Sequence, residues 1–298
     1  MASNKEIQDR INSIKDTRKI TNAMYLIASS KLRTARKNYD NVEKYFHMIR
    51  MTMHDILEHA PEMKHEFLDD DPGGVTRHRR RVYIVVTADK GLAGAYNQNV
   101  IRLMEEKLAA HPDAILCVIG QIGRHYFKNK HLKSMNEDFL YSAQNPSLER
   151  ARSITAEILD MYWSHEISEV HIVYTEMKNA LQSVALERQL LPLCIDDYCD
   201  VEEVVKSTNK VSFFPNANAV FEEIAPICMQ GIIFSALTES YCAELNDRMA
   251  AMDGASKSAD EMIAELQLEY NRSRQGSITQ EITEVISGSK APKKKKKL

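Results

Sequence analysis

Residues 1–60 read MASNKEIQDRINSIKDTRKITNAMYLIASSKLRTARKNYDNVEKYFHMIRMTMHDILEHA, with neither glycine nor proline anywhere in the stretch. Alternating steps of four and three pick out Ile7, Ile11, Ile14, Arg18, Thr21, Tyr25, Ala28, Leu32, Ala35, Tyr39, Val42, Phe46, Ile49, Met53 and Ile56, and thirteen of these fifteen are apolar or aromatic. A spacing of about 3.5 residues is the seam of a coiled coil. At about 1.5 Å per residue, a helix of roughly 55 residues is some 80 Å long. Such a helix cannot cover its own seam and needs a partner of similar length.

The other end of the chain offers one. Leu245, Met249, Met252, Ser256, Ala259, Ile263, Leu266, Tyr270 and Ser273 follow the same rhythm, and small residues at several of these positions let two backbones approach closely. Near Gly276 the register is expected to slip, with Ile278, Ile282 and Val285 continuing the apolar face. From Ile232 to Ser287 there is no proline, and Gly254 and Gly276 are the only glycines. Two helices from opposite ends, with a domain between them, suggest an intramolecular antiparallel pair. A homodimeric coiled coil is the alternative.

The helix breakers gather in the middle. Val82-Tyr83-Ile84-Val85-Val86-Thr87 is a β-branched run that follows three arginines, and the loop Ala88-Asp89-Lys90-Gly91-Leu92-Ala93-Gly94 leads to a helical pattern from about Asn97 to Ala110. Ala114–Ile119 reads as a second strand ending at Gly120-Gln121-Ile122-Gly123. Ser147 suits the N-cap of another helix, and Val170–Tyr174 reads as a third strand. Strands alternating with helices predict a parallel, doubly wound, Rossmann-like sheet. Phe213-Phe214-Pro215-Asn216 reads as the turn into the last helix, with Asn216 or Asn218 near its cap.

Neither glycine loop fits a nucleotide site. The first lacks the Lys-Ser/Thr that ends a P-loop, and the second lacks G-x-G-x-x-G spacing. The histidines form no metal-binding pair, and no Ser/His/Asp order can be defended. The five cysteines include no CxxC pair and read as reduced thiols; Cys194 and Cys199 are the closest two, and a redox role for them is the lesser reading. A net charge of −3 excludes a global basic footprint for nucleic acid. Lys31, Arg33, Arg36 and Lys37 form a local basic run, either a solvated face or a collar for acidic side chains of a partner. No run approaches the ~20 apolar residues of a membrane span, and no secretory or transit peptide is apparent at the N-terminus.

Tyr270-Asn271-Arg272-Ser273-Arg274-Gln275-Gly276-Ser277-Ile278-Thr279-Gln280-Glu281-Ile282-Thr283-Glu284-Val285-Ile286-Ser287-Gly288 closely resembles the signature of the γ subunits of F-type ATP synthases. Ile14–Met24, Ala28–Leu32, Thr87–Asn97, Asn145–Ser147 and Gln189–Leu193 resemble the same family's other motifs, in order, over nearly the whole chain. The resemblance implies an α/β domain plus a long antiparallel coiled coil. The residues divide as 1–60, 75–205 and 212–288, and a basic tail at 289–298 runs past the family's usual end and is expected, from its charge, to be disordered. The resemblance also implies a rotating central stalk that couples ion flow through the membrane c-ring to ATP synthesis or hydrolysis at β-subunit sites, with no active site or cofactor of its own. ATP, ADP and Mg would be bound by the α and β subunits. The implied partners are those subunits, the ε subunit and the c-ring, with no nucleic acid and with membrane contact only through the complex. The implied address is the cytoplasmic face of a bacterial inner membrane or, alternatively, the matrix or stroma side of an organelle membrane. Carried over by position, Met24, Arg248, Gln275 and Thr279 match contacts with β subunits. A coiled-coil scaffold unconnected with rotation and a free-standing nicotinamide-type enzyme are the competing readings.

Overall fold

The computed structural model describes residues 4–60, 62–63, 65–68, 80–130, 135–179, 182–193 and 212–290, with side chains to 287. The acidic stretch from Asp196 to Glu203, Cys194, Cys199 and the basic tail from 291 lie outside the described residues. Helix α1 runs through Asn4–His59 and the last helix, α5, through Ala217–Lys290. Between them come β1 (Arg81–Val86), α2 (Tyr96–Ala110), β2 (Ile115–Ile119), α3 (Gln121–Asn129), α4 (Leu148–Trp163), β3 (Glu169–Met177) and β4 (Ser183–Leu191). The chain forms two compact units: Met1–Ile27 with Ala250–Leu298, and Ala28–Met249.

In the smaller unit the two helices run antiparallel. Asn4 Nδ2 donates to Ser277 Oγ at 3.4 Å, the Arg18 guanidinium lies 2.7 Å from Asp260 Oδ1, and the hydroxyls of Thr21 and Ser256 are 2.7 Å apart. Early residues of α1 thus meet late residues of α5. Ile7, Ile11, Met252 and Ala259 are buried along the seam, with Ile14, Tyr25, Ile263, Leu266 and Tyr270 half-buried. The two polar exceptions on the α1 seam have distinct reasons. Thr21 is buried because its hydroxyl bonds Ser256 and the Arg18 carbonyl, whereas Arg18 stays exposed and reaches the carboxylate across the pair.

One expectation changes at the far end. Helix α5 passes Gly254 and Gly276 without a break, but Ile278, Ile282 and Val285 do not continue a buried face; they are exposed. Asn4, where α1 begins, is level with Ser277, so no described residue of α1 lies beside that last stretch.

In the larger unit the sheet order is β2-β1-β3-β4. Strand β1 pairs in parallel with β2 (Ile84 opposite Cys117) and with β3 (Val85 opposite Val173). Strand β4 is antiparallel to β3, with Tyr174 opposite Leu186, so the sheet is mixed rather than wholly parallel. The sequence reading missed β4 because Ser183–Leu191 lies on a sheet edge and is buried fully only at Leu190 and Leu191. Its polar-interrupted text gives no apolar run.

Alternate residues of β1 serve opposite faces, as the pleat requires. Val82, Ile84 and Val86 join a core with α4 (Ile154, Ile158) and with Phe46, Met53 and Ile56 of α1 and Phe221, Met229 and Ile233 of α5. Tyr83 and Val85 face α2 and α3 through Val100, Met104 and Phe127. Helix α5 contains a stretch apolar enough in length and composition to cross a membrane, yet more than half of it is buried within the protein. Helices α1 and α5 touch at Gly231, where a Cβ would lie 2.4 Å from Phe46 Cδ1. Ser147 caps α4 by accepting from Arg150 N at 3.2 Å, and Asn216 caps α5 by accepting from Ala219 N at 2.9 Å.

Candidate functional site

The two glycine loops lie side by side at the carboxyl ends of β1 and β2. In nucleotide-binding folds the first amides of the helix after such a strand present themselves to phosphate. Here they are taken. Gln121 N donates to Asp89 Oδ1 at 3.0 Å, Ile122 N to the Ala88 carbonyl at 3.0 Å, and Gly123 N to Thr87 Oγ1 at 3.0 Å. A Cβ at Gly120 would lie 2.1 Å from the Thr87 carbonyl oxygen, and one at Gly123 would lie 2.6 Å from the Thr87 side chain. These glycines therefore let the end of β1 cross the start of α3. They do not build a phosphate cradle, and the nicotinamide-enzyme reading loses its footing.

Asp89 is the centre of this crossing. Its second oxygen accepts from Ser142 Oγ at 2.5 Å, Ala143 N at 3.1 Å and Gln144 N at 3.3 Å. The next two residues face α5, where Arg248 Nη2 donates to the carbonyls of Lys90 and Gly91, each at 3.1 Å. Arg248 Nη1 bonds Glu244 Oε1 at 2.5 Å. Burial pushes the Glu244 carboxyl above the ordinary carboxylate range, and the Arg248 charge pulls it partly back. One residue before Arg248, both oxygens of Asp247 accept from Ser183 Oγ at 3.0 Å.

Arg248 therefore sits in the larger unit with its guanidinium engaged inside the chain. Met24 lies half-buried in the smaller unit, one turn beyond Thr21 on α1. Gln275 and Thr279 are exposed and adjacent on α5, where Thr279 Oγ1 donates to the Gln275 carbonyl at 2.8 Å. With Thr21 opposite Ser256, Gln275 stands about 30 Å farther along the pair than Met24. The structure thus groups Gln275 with Thr279 and separates both from Met24. Around these positions large apolar side chains face outward: Ile20, Leu26 and Ile27 on α1, and Ile278, Ile282, Val285 and Ile286 on α5. Large apolar side chains exposed in groups like these are the kind of surface that other proteins cover. Sequence reasoning reached Met24 by resemblance but missed Asp89 and the Ser183–Asp247 contact. The only available signal was an Asp three residues past the end of a buried strand.

Three cysteines are described, and all are buried. Burial raises the Cys117 thiol to about 12 and the Cys242 thiol to about 11, which suppresses the reactive thiolate.

Glu239, elsewhere on α5, has a testable electrostatic signature. Ser235 Oγ donates to its Oε1 at 3.2 Å, while its buried Oε2 has no hydrogen-bond partner among the described residues. Burial raises its pKa, so folding favours the protonated form. The cost of holding it charged is absent at low pH and grows as pH rises through the elevated value. Glu239→Gln should therefore raise the melting temperature by about 2 °C at pH 8. That gain should shrink as pH falls toward the carboxylate range, as thermal melts across pH would register.

A family model described as ATP synthase matches residues 3–291. The chain is 41% identical over 293 residues to the ATP synthase gamma chain of Caldanaerobacter subterraneus subsp. tengcongensis, covering 96% of this chain and 98% of the relative. The chain belongs to the ATP synthase γ-chain family. It is also 39% identical to the gamma chain of Ruminiclostridium cellulolyticum, over 98% and 99% of the two chains. A third relative, the sodium-ion-specific gamma chain of Acetobacterium woodii, is 32% identical over 98% and 99%. Among solved structures, a chain of the Euglena gracilis mitochondrial ATP synthase, described with OSCP, F1 and c-ring, matches at a TM-score of 0.64 and 14% identity over 99% of this chain and 98% of that one. A γ chain is a non-catalytic subunit of its complex, and that complex is membrane-associated. The residues above are accordingly read as contacts and braces rather than as catalysts.

Proposed function

We propose that this chain is the rotating central stalk of an F-type ATP synthase on the cytoplasmic face of a bacterial plasma membrane. The paired segments of α1 and α5 stand in the bore of the α and β subunits. The α/β layer meets the ε subunit and the c-ring, and ion flow through that ring turns the stalk. The α and β subunits hold the ATP, ADP and Mg, and this chain binds none of them. As it turns, each β subunit meets a different face of an asymmetric body, and differential contact biases its conformational equilibrium. Met24, Arg248, Gln275 and Thr279 are the residues we assign to β contact.

The observation that carries this reading is the antiparallel pairing of the chain's two ends, which leaves Ile278, Ile282 and Val285 exposed past the start of α1. A water-soluble monomer gains nothing from such a tip, whereas a bearing made by surrounding subunits covers it. The deciding experiment combines α and β subunits with and without this chain and follows ATP turnover, then adds the membrane sector in vesicles and follows ion uptake. Turnover and uptake that depend on the chain support the stalk. A chain that fails to co-purify with the α and β subunits and leaves their turnover unchanged is a scaffold instead.

A further inference from the structure

Helix α5 leaves the larger unit at Met249, and in its last turn there two neighbouring side chains are held from different directions. Consecutive residues of an α-helix project about 100° apart. Asp247 is held by Ser183, the first residue of β4, and Arg248 by the carbonyls of Lys90 and Gly91 in the loop after β1. Both anchors are firm. Ser183 belongs to a strand hydrogen-bonded to β3, and Lys90 follows Asp89, whose carboxylate is tied to α3 and to residues 142–144. Glu244, one turn back, fixes the other arm of the guanidinium, and this ion pair is almost wholly buried.

We infer that Lys90, Gly91 and Ser183 together with Asp247 and Arg248 form a collar that fixes the rotation of α5 about its own axis. Turning the α/β layer then turns the helix without slack. Arg248 is the positioning residue of this collar, because its planar fork reaches Glu244 and two carbonyls at once, which a lysine ammonium cannot do from a single point. The inference gives the Asp89-Lys90-Gly91 loop a mechanical task in place of a nucleotide. It rests on the stalk reading, since without torque a collar has nothing to transmit.

The test uses the assembled complex with the α and β subunits fixed to glass and a bead on the outer face of α3. The quantity is the angular spread of the bead while rotation is paused, which widens as the joint softens. With one of the two polar anchors removed and the packing of α5 kept, the mean-square spread should widen clearly in Arg248→Ala, less in Arg248→Lys, and clearly in Ser183→Ala. Ser183→Ala is the deciding variant, because it alters no residue assigned to β contact. A wider spread in Arg248→Ala alone, with Ser183→Ala like the wild type, would mean that Arg248 acts only on the β subunit, and the collar is overturned. Unchanged spread in all three variants overturns it as well. A wild-type chain that never rotates with the hexamer would instead sink the stalk reading itself, so the two failures are distinct.

Discussion

Ala259→Asp should leave the chain unable to support ATP turnover by the α and β subunits above their background. Ala259 is 6% exposed on the seam of the smaller unit, next to the Arg18–Asp260 ion pair and one turn from the Thr21–Ser256 contact. A carboxylate there loses its hydration and adds volume where two backbones run close. It also stands beside Asp260, which already uses Arg18. Burying an unpaired charge costs several kcal/mol. The smaller unit has little reserve, since among its described residues the buried apolar side chains are few: Ile7, Ile11, Met252 and Ala259. The neighbouring Ser258→Asp is the control, because Ser258 is exposed and a surface change of this kind stays within about 0.5 kcal/mol. Turnover assays of the two variants, with amide exchange over residues 7–21, separate the outcomes. Fast exchange and lost turnover in Ala259→Asp alone is the expected pair; normal turnover despite fast exchange would show that the paired ends are not the part that drives the hexamer.

The long helices were legible because their signal is simple and repeated. A seam of thirteen apolar residues in fifteen positions has few readings, and fourteen of the fifteen are buried or half-buried, Arg18 being the exception. The three parallel strands were legible because Val82–Val86, Leu116–Ile119 and Val170–Val173 are covered on both faces and so read as apolar runs. Strand β4 was not, because an edge strand is held by backbone pairing that leaves little mark on side-chain type. Where the apolar face of α5 stops being covered was not legible either, since Ile278 and Ile282 are the same residue type as the buried Ile7 and Ile11. Only the start of α1 decides it. The site shows the same division. Arg248 could be picked out by resemblance, but its hold on two carbonyls could not, because 157 residues separate it from Gly91 and a backbone carbonyl has no letter in the sequence.

Asp89→Ala should be the most damaging single change in the larger unit outside its apolar core. The carboxylate accepts from three backbone amides (Gln121, Ala143 and Gln144) and from the Ser142 hydroxyl. Alanine leaves all four donors without this acceptor, the Ala143 and Gln144 amides in a part-buried place and the other two exposed, and hydrogen bonds to a charged group each contribute about 1.5–3 kcal/mol. Water can reach some of the freed donors, so the net loss should be about 2–4 kcal/mol rather than the full sum. For a unit of this size that lowers the melting temperature by roughly 5–10 °C. Asn is only a partial replacement, since its single oxygen serves one side of the crossing while its amide points a donor at donors. The loss should also spread in one direction. With Asp89 gone, Lys90 and Gly91 lose their anchor, and their carbonyls hold Arg248 less firmly. Amide exchange should therefore quicken from residue 90 to 94 and at the start of α3, while the strand amides of β1 and β3 keep their protection. A melting temperature within 1–2 °C of the wild type, a change of under about 1 kcal/mol, would mean that the loop is held by its packing and that the four bonds are incidental.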